Sequence, residues 1–315
     1  MNNNWVLICQ GGGGKGSWEA GFIYELCRNF GFSFKVLIGT SVGSINCALY
    51  LQCLADQSFE RLKQLWLNIG SNEIFKLDLS KLISQWSLSN QGRLREIIEE
   101  NINQADINKI INKQRKLLYI DACEYKKNNF YPYQFCFGPV SGSQTIKDDI
   151  SLLTEALLAS SAMPLFYPPI RHKGMLLYDG GLCATNPLSL ANTNTGLEKA
   201  IVLSPIKKGD IYKVGILDFW DIQLVNRIIN MQNYLSGLTK KPKVHFVVPG
   251  KQLTASVVEF NKNSCKINFA LGQNDAKKFA ENVKSTDQNI LKYNLKALQY
   301  TITEALRRIN IHLPD

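Results

Sequence analysis

Phe34-Lys35-Val36-Leu37-Ile38-Gly39-Thr40-Ser41-Val42-Gly43-Ser44-Ile45-Asn46-Cys47-Ala48-Leu49-Tyr50-Leu51-Gln52-Cys53 is the stretch on which the fold turns. An apolar run from Phe34 to Ile38 predicts a strand, Gly39 to Gly43 a tight turn, and Ile45 to Cys53 a helix. The same succession stands just upstream. Trp5 to Cys9 is a short apolar run, Gln10 to Ser17 is glycine-rich, and Trp18 to Cys27 is amphipathic. Two strand–turn–helix units in series predict an α/β fold with a parallel sheet.

Outward from these units, residues from about Phe59 to Gln114 are predicted mostly helical, with polar interruptions at Ser87 to Asn90. Leu117 to Ala122, Tyr133 to Phe137, Met175 to Tyr178, Ala200 to Leu203 and Val244 to Val248 are predicted strands. Ile150 to Ser160 and Leu217 to Tyr234 are predicted helices, the first stopped by Pro164. Leu291, Leu295, Leu298, Ile302, Ala305 and Ile309 form one helical stripe near the end. The expected organisation is a core over 1–205, the remainder of the same domain over 206–275, and a helical extension over 276–315.

The segment Gln10-Gly11-Gly12-Gly13-Gly14-Lys15-Gly16-Ser17 has several readings. A phosphate-binding P-loop fails at both ends, because Cys9 replaces its first glycine and Gly16 its hydroxyl residue. A dinucleotide fingerprint is formally present at Gly11, Gly13 and Gly16, but the second strand ends in Ile38-Gly39-Thr40 without the acid that would hold a ribose. An oxyanion hole fits: consecutive glycines let backbone N–H groups point one way at a helix N-terminus. A plain glycine-rich turn fits this segment as well.

Gly39-Thr40-Ser41-Val42-Gly43 is G-x-S-x-G between a strand and a helix, the pattern of a nucleophile elbow, in which Gly39 and Gly43 allow the sharp bend. A serine needs a base. Of the three histidines, His312 is near the C-terminus, His245 falls in a predicted strand and His172 in a turn, and none has motif context. Leu177-Tyr178-Asp179-Gly180-Gly181 offers more. It places an acid at a strand end, with glycines behind it that allow close approach; a simple Asp-Gly turn is the alternative.

Four blocks in order resemble the patatin-like phospholipase family. Gly11-Gly12-Gly13-Gly14-Lys15-Gly16 resembles its G-G-G-x-[RK]-G, and Gly39 to Gly43 its G-x-S-x-G. Ala159-Ser160-Ser161-Ala162-Met163-Pro164 resembles its A-S-x-A-x-P, and Asp179-Gly180-Gly181 its D-G-[GA], with Asn186-Pro187 following. The resemblance covers roughly residues 5–205, with an echo at Gly272-Gln273-Asn274-Asp275-Ala276 that is similar to the opening of a late family helix. Cys183-Ala184-Thr185 departs from the family's asparagine-rich turn.

The resemblance implies a three-layer fold with a mainly parallel sheet. It implies a lipid acyl hydrolase of phospholipase A or lysophospholipase type, working through a Ser41–Asp179 dyad with neither metal nor cofactor. Gly11, Gly12, Gly13 and Gly14 would form the oxyanion hole. Lys15 and Gly16 would support the loop, although Lys15 also reads as a positive charge for a lipid phosphate. Neutral-lipid or thioester hydrolysis on the same dyad is an alternative, as is a silent lipid-binding protein. Some family members are bacterial effectors that need a host protein, so an activating partner and non-classical secretion are compatible with this composition. The helical stretch from about Asn72 to Asn112 reads either as a lid or as ordinary packing.

Composition bounds these readings. Charged residues are 20% and hydrophobic ones 45% of the chain, which argues against disorder. The N-terminus lacks a basic n-region and no apolar run is long enough to span a bilayer, so a cytoplasmic or peripheral membrane location is expected. The eight cysteines are scattered and read as buried thiols rather than a disulfide framework. Residues 201–315 hold 17 Lys and Arg against 9 Asp and Glu, which points to an anionic membrane surface or to a solvated basic face. Nucleic-acid binding is not expected, because that region shows no recognisable module.

Overall fold

A computed structural model describes residues 5–70, 91–139, 147–183, 185–206, 218–258 and 260–285. Strand β1 (Trp5–Cys9) leads through a 3₁₀ turn at Gly13–Lys15 into α1 (Gly16–Phe30). Strand β2 (Phe34–Thr40) leads straight into α2 (Val42–Ala55). Then come α3 (Glu60–Asn68), α4 (Gly92–Asn101) and α5 (Gln104–Gln114), followed by β3 (Leu117–Lys126) and β4 (Asn129–Phe137). Helix α6 (Leu153–Ser160) precedes β5 (Ile170–His172) and β6 (Met175–Asp179). The last elements are α7 (Pro187–Thr195), β7 (Lys199–Leu203), α8 (Asp218–Ser236), β8 (Lys243–Val247) and α9 (Lys262–Ser285).

The sheet order is β5-β6-β3-β2-β1-β7-β8, with β4 paired to β3. Strands β3, β2, β1, β7 and β8 are parallel, and β4, β5 and β6 are antiparallel additions. Alternate residues of the parallel strands enter different cores, as the two-residue period of a strand requires. Leu7 and Leu37 pack with α1, α2 and α9 on one face. Val6, Ile8, Val36 and Ile38 pack with α7 and α8 on the other. The result is three layers, helix–sheet–helix, as expected.

Four local differences from the sequence reading have physical causes. Helix α2 starts three residues earlier than predicted, because Gly43, ordinarily a poor helix former, is required there: a Cβ would lie 2.4 Å from the Cys9 carbonyl oxygen. Strand β3 continues through Lys126 because its polar half finds a partner in β4. His172 closes β5, and the turn is at Lys173-Gly174 beyond it. The Gly272–Ala276 block sits in the middle of α9 rather than at a helix start, where Asp275 accepts a hydrogen bond from the Trp18 indole at 2.9 Å.

The cysteines need a correction. Six are buried free thiols, but Cys123 and Cys183 form a disulfide, their Cα atoms 6.2 Å apart. Strand β6 runs antiparallel to β3, and the 3₁₀ turn Gly180–Leu182 after it folds Cys183 back over Cys123. Topology made the pair, and scattered spacing could not show it. The Leu291–Ile309 stripe lies outside the described residues. Among the described residues, no helix is long and apolar enough to cross a membrane.

Candidate active site

The nucleophile candidate and its acid meet because of strand order. Strand β2 pairs along one edge of β3 and ends with Thr40 opposite Asp121. Strand β6 takes over the same edge from the other direction and ends with Asp179 opposite Ala122, the next rung. The two chains therefore terminate head to head, and Ser41 and Asp179 leave adjacent rungs of β3.

Ser41 has φ 53° and ψ −136°, a conformation that a non-glycine residue adopts only when its surroundings enforce it. Its N–H donates to Ser160 Oγ at 2.9 Å, and the Ser160 hydroxyl donates to the Asp121 carbonyl at 2.6 Å. Its carbonyl accepts the Ser44 N–H and the Ser44 hydroxyl. Its side chain and the Asp179 carboxylate line the same cleft.

Asp179 is 3% exposed. Its N–H donates to the Ala162 carbonyl at 3.0 Å, and its Oδ1 accepts the Gly181 N–H at 2.7 Å. The Ala159–Pro164 block thus grips both candidates, Ser41 through Ser160 and Asp179 through Ala162. Burial pushes the Asp179 carboxyl up to about 6, against the Gly181 N–H, the Ser41 hydroxyl and the nearby Arg227 charge, which pull it down.

The glycine loop lies against the elbow. Gly11 has φ +77°, and a Cβ on it would stand 2.3 Å from the Thr40 carbonyl oxygen. Its N–H donates to Glu19 Oε1 at 3.0 Å, so that donor is already engaged. Gly12 and Gly13 face the cleft; Gly14 is buried within the turn. Lys15 is also buried there and does not line the cleft. Gly16 starts α1, and its carbonyl accepts from Asn46 Nδ2 at 3.0 Å. Gly39 precedes the bend, and Gly180 begins the turn behind Asp179.

Several residues with no motif behind them hold this arrangement. Glu19 is fully buried and accepts from both Gly11 N–H and Asn46 Nδ2; burial pushes its carboxyl up to about 8. Arg227 on α8 is fully buried, and its Nη2 donates to Thr40 Oγ1 at 2.6 Å and to Asp121 Oδ2 at 2.9 Å. Desolvation lowers the Arg227 pKa, opposed by Asp121, Asp179 and Glu19. The sequence signals for these residues were faint: single charges inside otherwise apolar stretches, at Glu19 in α1, Asp121 in β3 and Arg227 in α8.

Ser41 and Asp179 open on an apolar cleft of about 880 Å³ including its mouth. Trp66 on α3, Leu94 and Ile97 on α4, Met163, and Val257 and Phe260 before α9 supply much of its wall. Residues 71–90 of the stretch read as a lid or packing lie outside the described residues. In the rest, Leu94 and Ile97 line the cleft while Ile107 and Ile111 of α5 join the core. The described histidines stand elsewhere. His172 pairs with Glu155, and His245 packs between Trp5 and Phe279, with burial pushing it down to about 4. His312 lies outside the described residues. Among those described, no cluster of three or more His, Cys, Asp or Glu has a metal-binding arrangement.

A strained serine elbow and a buried carboxylate at the head of a parallel sheet, over an apolar cleft, define an α/β protein of the nucleophile-elbow class. The family model for patatin-like phospholipases matches residues 7–192, and the chain belongs to that family. Its general activity is therefore that of a lipid acyl hydrolase. Among solved structures the chain is similar to VipD from Legionella pneumophila, with 12% identity, a TM-score of 0.34, and coverage of 98% of this chain and 75% of that one. No curated protein matches the chain.

Proposed function

We propose that the protein hydrolyses carboxylic esters of membrane phospholipids or lysophospholipids, with Ser41 as nucleophile and Asp179 as its only side-chain base. The observation that carries this reading is that the strained Ser41 and the buried Asp179 carboxylate line one apolar cleft together, having left adjacent rungs of β3. Asp179 takes the Ser41 proton as Oγ attacks the ester carbonyl. Backbone N–H groups of Gly12 and Gly13, with Gly14 behind them, stabilise the oxyanion. The tetrahedral centre collapses, Asp179 returns the proton to the departing alkoxide, and the acyl group remains on Ser41. Water then attacks the acyl-enzyme, giving its proton to Asp179, and the fatty acid leaves as Asp179 passes that proton to Ser41 Oγ.

A base near pH 6 suits this task better than an ordinary carboxylate, since it is ionised at neutral pH yet binds the proton more firmly. The cleft wall is hydrocarbon and aromatic, which suits an acyl chain and excludes water from the reacting bond. Glu19 and Arg227 act through others in this scheme: Glu19 fixes the glycine loop at Gly11, and Arg227 ties Thr40 to Asp121.

The test is mass-spectrometric product analysis after incubation with a mixed lipid extract, with and without cell lysate, for wild type and Ser41→Ala. Free fatty acid and lysolipid should appear with wild type only, and a fluorophosphonate should label Ser41 alone. Turnover by a folded Ser41→Ala variant removes Ser41 from the mechanism. Release of diacylglycerol-derived fatty acid without phospholipid loss favours the neutral-lipid alternative.

A further inference from the structure

Strand β3 outlasts the parallel sheet. Beyond the Asp179–Ala122 rung it runs on to Lys126, turns at Lys127-Asn128, and returns as β4. Both turn residues have positive φ, 50° and 60°, the geometry of a tight two-residue hairpin. Four residues at ~3.3 Å each carry this hairpin tip about 13 Å past the rung where Asp179 sits. The neighbouring β5–β6 hairpin points the same way: Leu177 pairs with Glu124, so the Lys173-Gly174 turn is level with the tip. Both hairpins therefore project from the sheet edge that bears Ser41 and Asp179.

The tip is unusual in composition. Tyr125, Phe130 and Tyr131 are three of the five large hydrophobic residues exposed among those described. Tyr125 and Phe130 pack together at 5.3 Å, and both meet Tyr178 edge-on. Around them stand exposed Lys126, Lys127, Arg171 and Lys173, the last 4.0 Å from Asp148, against Glu124 as the single carboxylate that these two hairpins carry beyond the Asp179–Ala122 rung. Aromatic side chains ringed by cations match the chemistry of a lipid–water interface, where rings sit among headgroups and Lys and Arg meet lipid phosphates. A rigid hairpin loses little conformational freedom on docking.

We propose that this two-hairpin edge is the protein's contact with an anionic bilayer, and that it presents the cleft mouth to the lipid. The proposal rests on the lipid-hydrolase reading for its purpose, but its test does not require turnover. The full chain carrying Ser41→Ala is sedimented with phosphatidylcholine vesicles, with and without phosphatidylserine. It should bind the anionic vesicles and be released as salt rises through the physiological range. Phe130→Ser/Tyr131→Ser and Lys126→Glu/Lys127→Glu, made in that background, should each weaken binding by at least roughly tenfold. Lys240→Glu/Lys241→Glu, away from these hairpins, should bind as the parent does. In the active protein, the tip variants should keep hydrolysis of a soluble short-chain ester and lose hydrolysis of vesicle lipid to a similar extent. Lys126 and Lys127 are exposed, so their variant should keep the wild-type Tm, whereas Phe130→Ser also gives up packing on Tyr125 and Tyr178, and its Tm shows how much. Equal vesicle binding by both tip variants and the parent overturns the proposal, as does binding indifferent to phosphatidylserine. Failure of the hydrolase reading instead shows as absent turnover with vesicle binding intact.

Discussion

Asp179→Asn separates a catalytic base from a structural carboxylate, because the two roles predict opposite signs in stability. The Asp179 carboxyl is raised from 3.8 to about 6 by burial. A carboxyl so raised favours the folded state most when protonated, and that advantage is lost as pH climbs from the unfolded value through the folded one. At about 1.4 kcal/mol per unit, the shift corresponds to about 3 kcal/mol of stability forgone above pH ~6. Asparagine removes this cost and keeps the side chain's hydrogen bond to the turn, because its Oδ1 still accepts the Gly181 N–H. Denaturant unfolding should therefore show wild type and variant equal below pH ~3.8. They should diverge as pH rises to ~6, with the variant about 3 kcal/mol more stable beyond. Activity should fall by roughly 10²–10⁴-fold over the same upper range, and wild-type kcat/KM should lose its activity below about pH 6. A variant that is inactive and also less stable at pH 8 would refute the reasoning, since it would make Asp179 a structural anchor whose loss merely disorders the elbow.

Arg227→Met should destabilise the fold by about 3–5 kcal/mol by leaving Asp121 buried without its cation, and adding Asp121→Asn should restore part of that loss in urea melts. Where Arg227→Met folds, removing the positive charge near Asp179 should move the acidic limb of kcat/KM to higher pH. His172→Ala and His245→Ala should change turnover far less than Asp179→Asn, and a histidine variant as inactive as Asp179→Asn would replace the dyad by a triad.

How much was legible follows from which residues obey local rules. The elbow could be read because Ser41 must be flanked by Gly39 and Gly43 to make its turn, and steric rules act within five residues. The glycine loop was legible for the same reason. Its division of labour was not: whether the Gly11 N–H points at a substrate or at Glu19 depends on how α1 packs on α2, through Asn46. The disulfide escaped for a related cause. Cys123 and Cys183 are 60 residues apart in sequence and become neighbours only once β6 inserts beside β3.

Arg227 shows most clearly where local reading stops. In sequence it is one cation on a predicted helix, where the default is a solvated face. In the fold it is wholly buried and joins Thr40, one residue before the proposed nucleophile, to Asp121, whose carbonyl holds Ser160 and through it the Ser41 N–H. A buried guanidinium is costly unless its partners are fixed, and here those partners lie on adjacent strands that also place Ser41 and Asp179. The arrangement makes the elbow's geometry depend on α8, outside the 7–192 stretch that carries the family match. Truncation after the matched region would remove this cation together with β7, β8 and α9, so the four family motifs, though intact, should not assemble the proposed dyad.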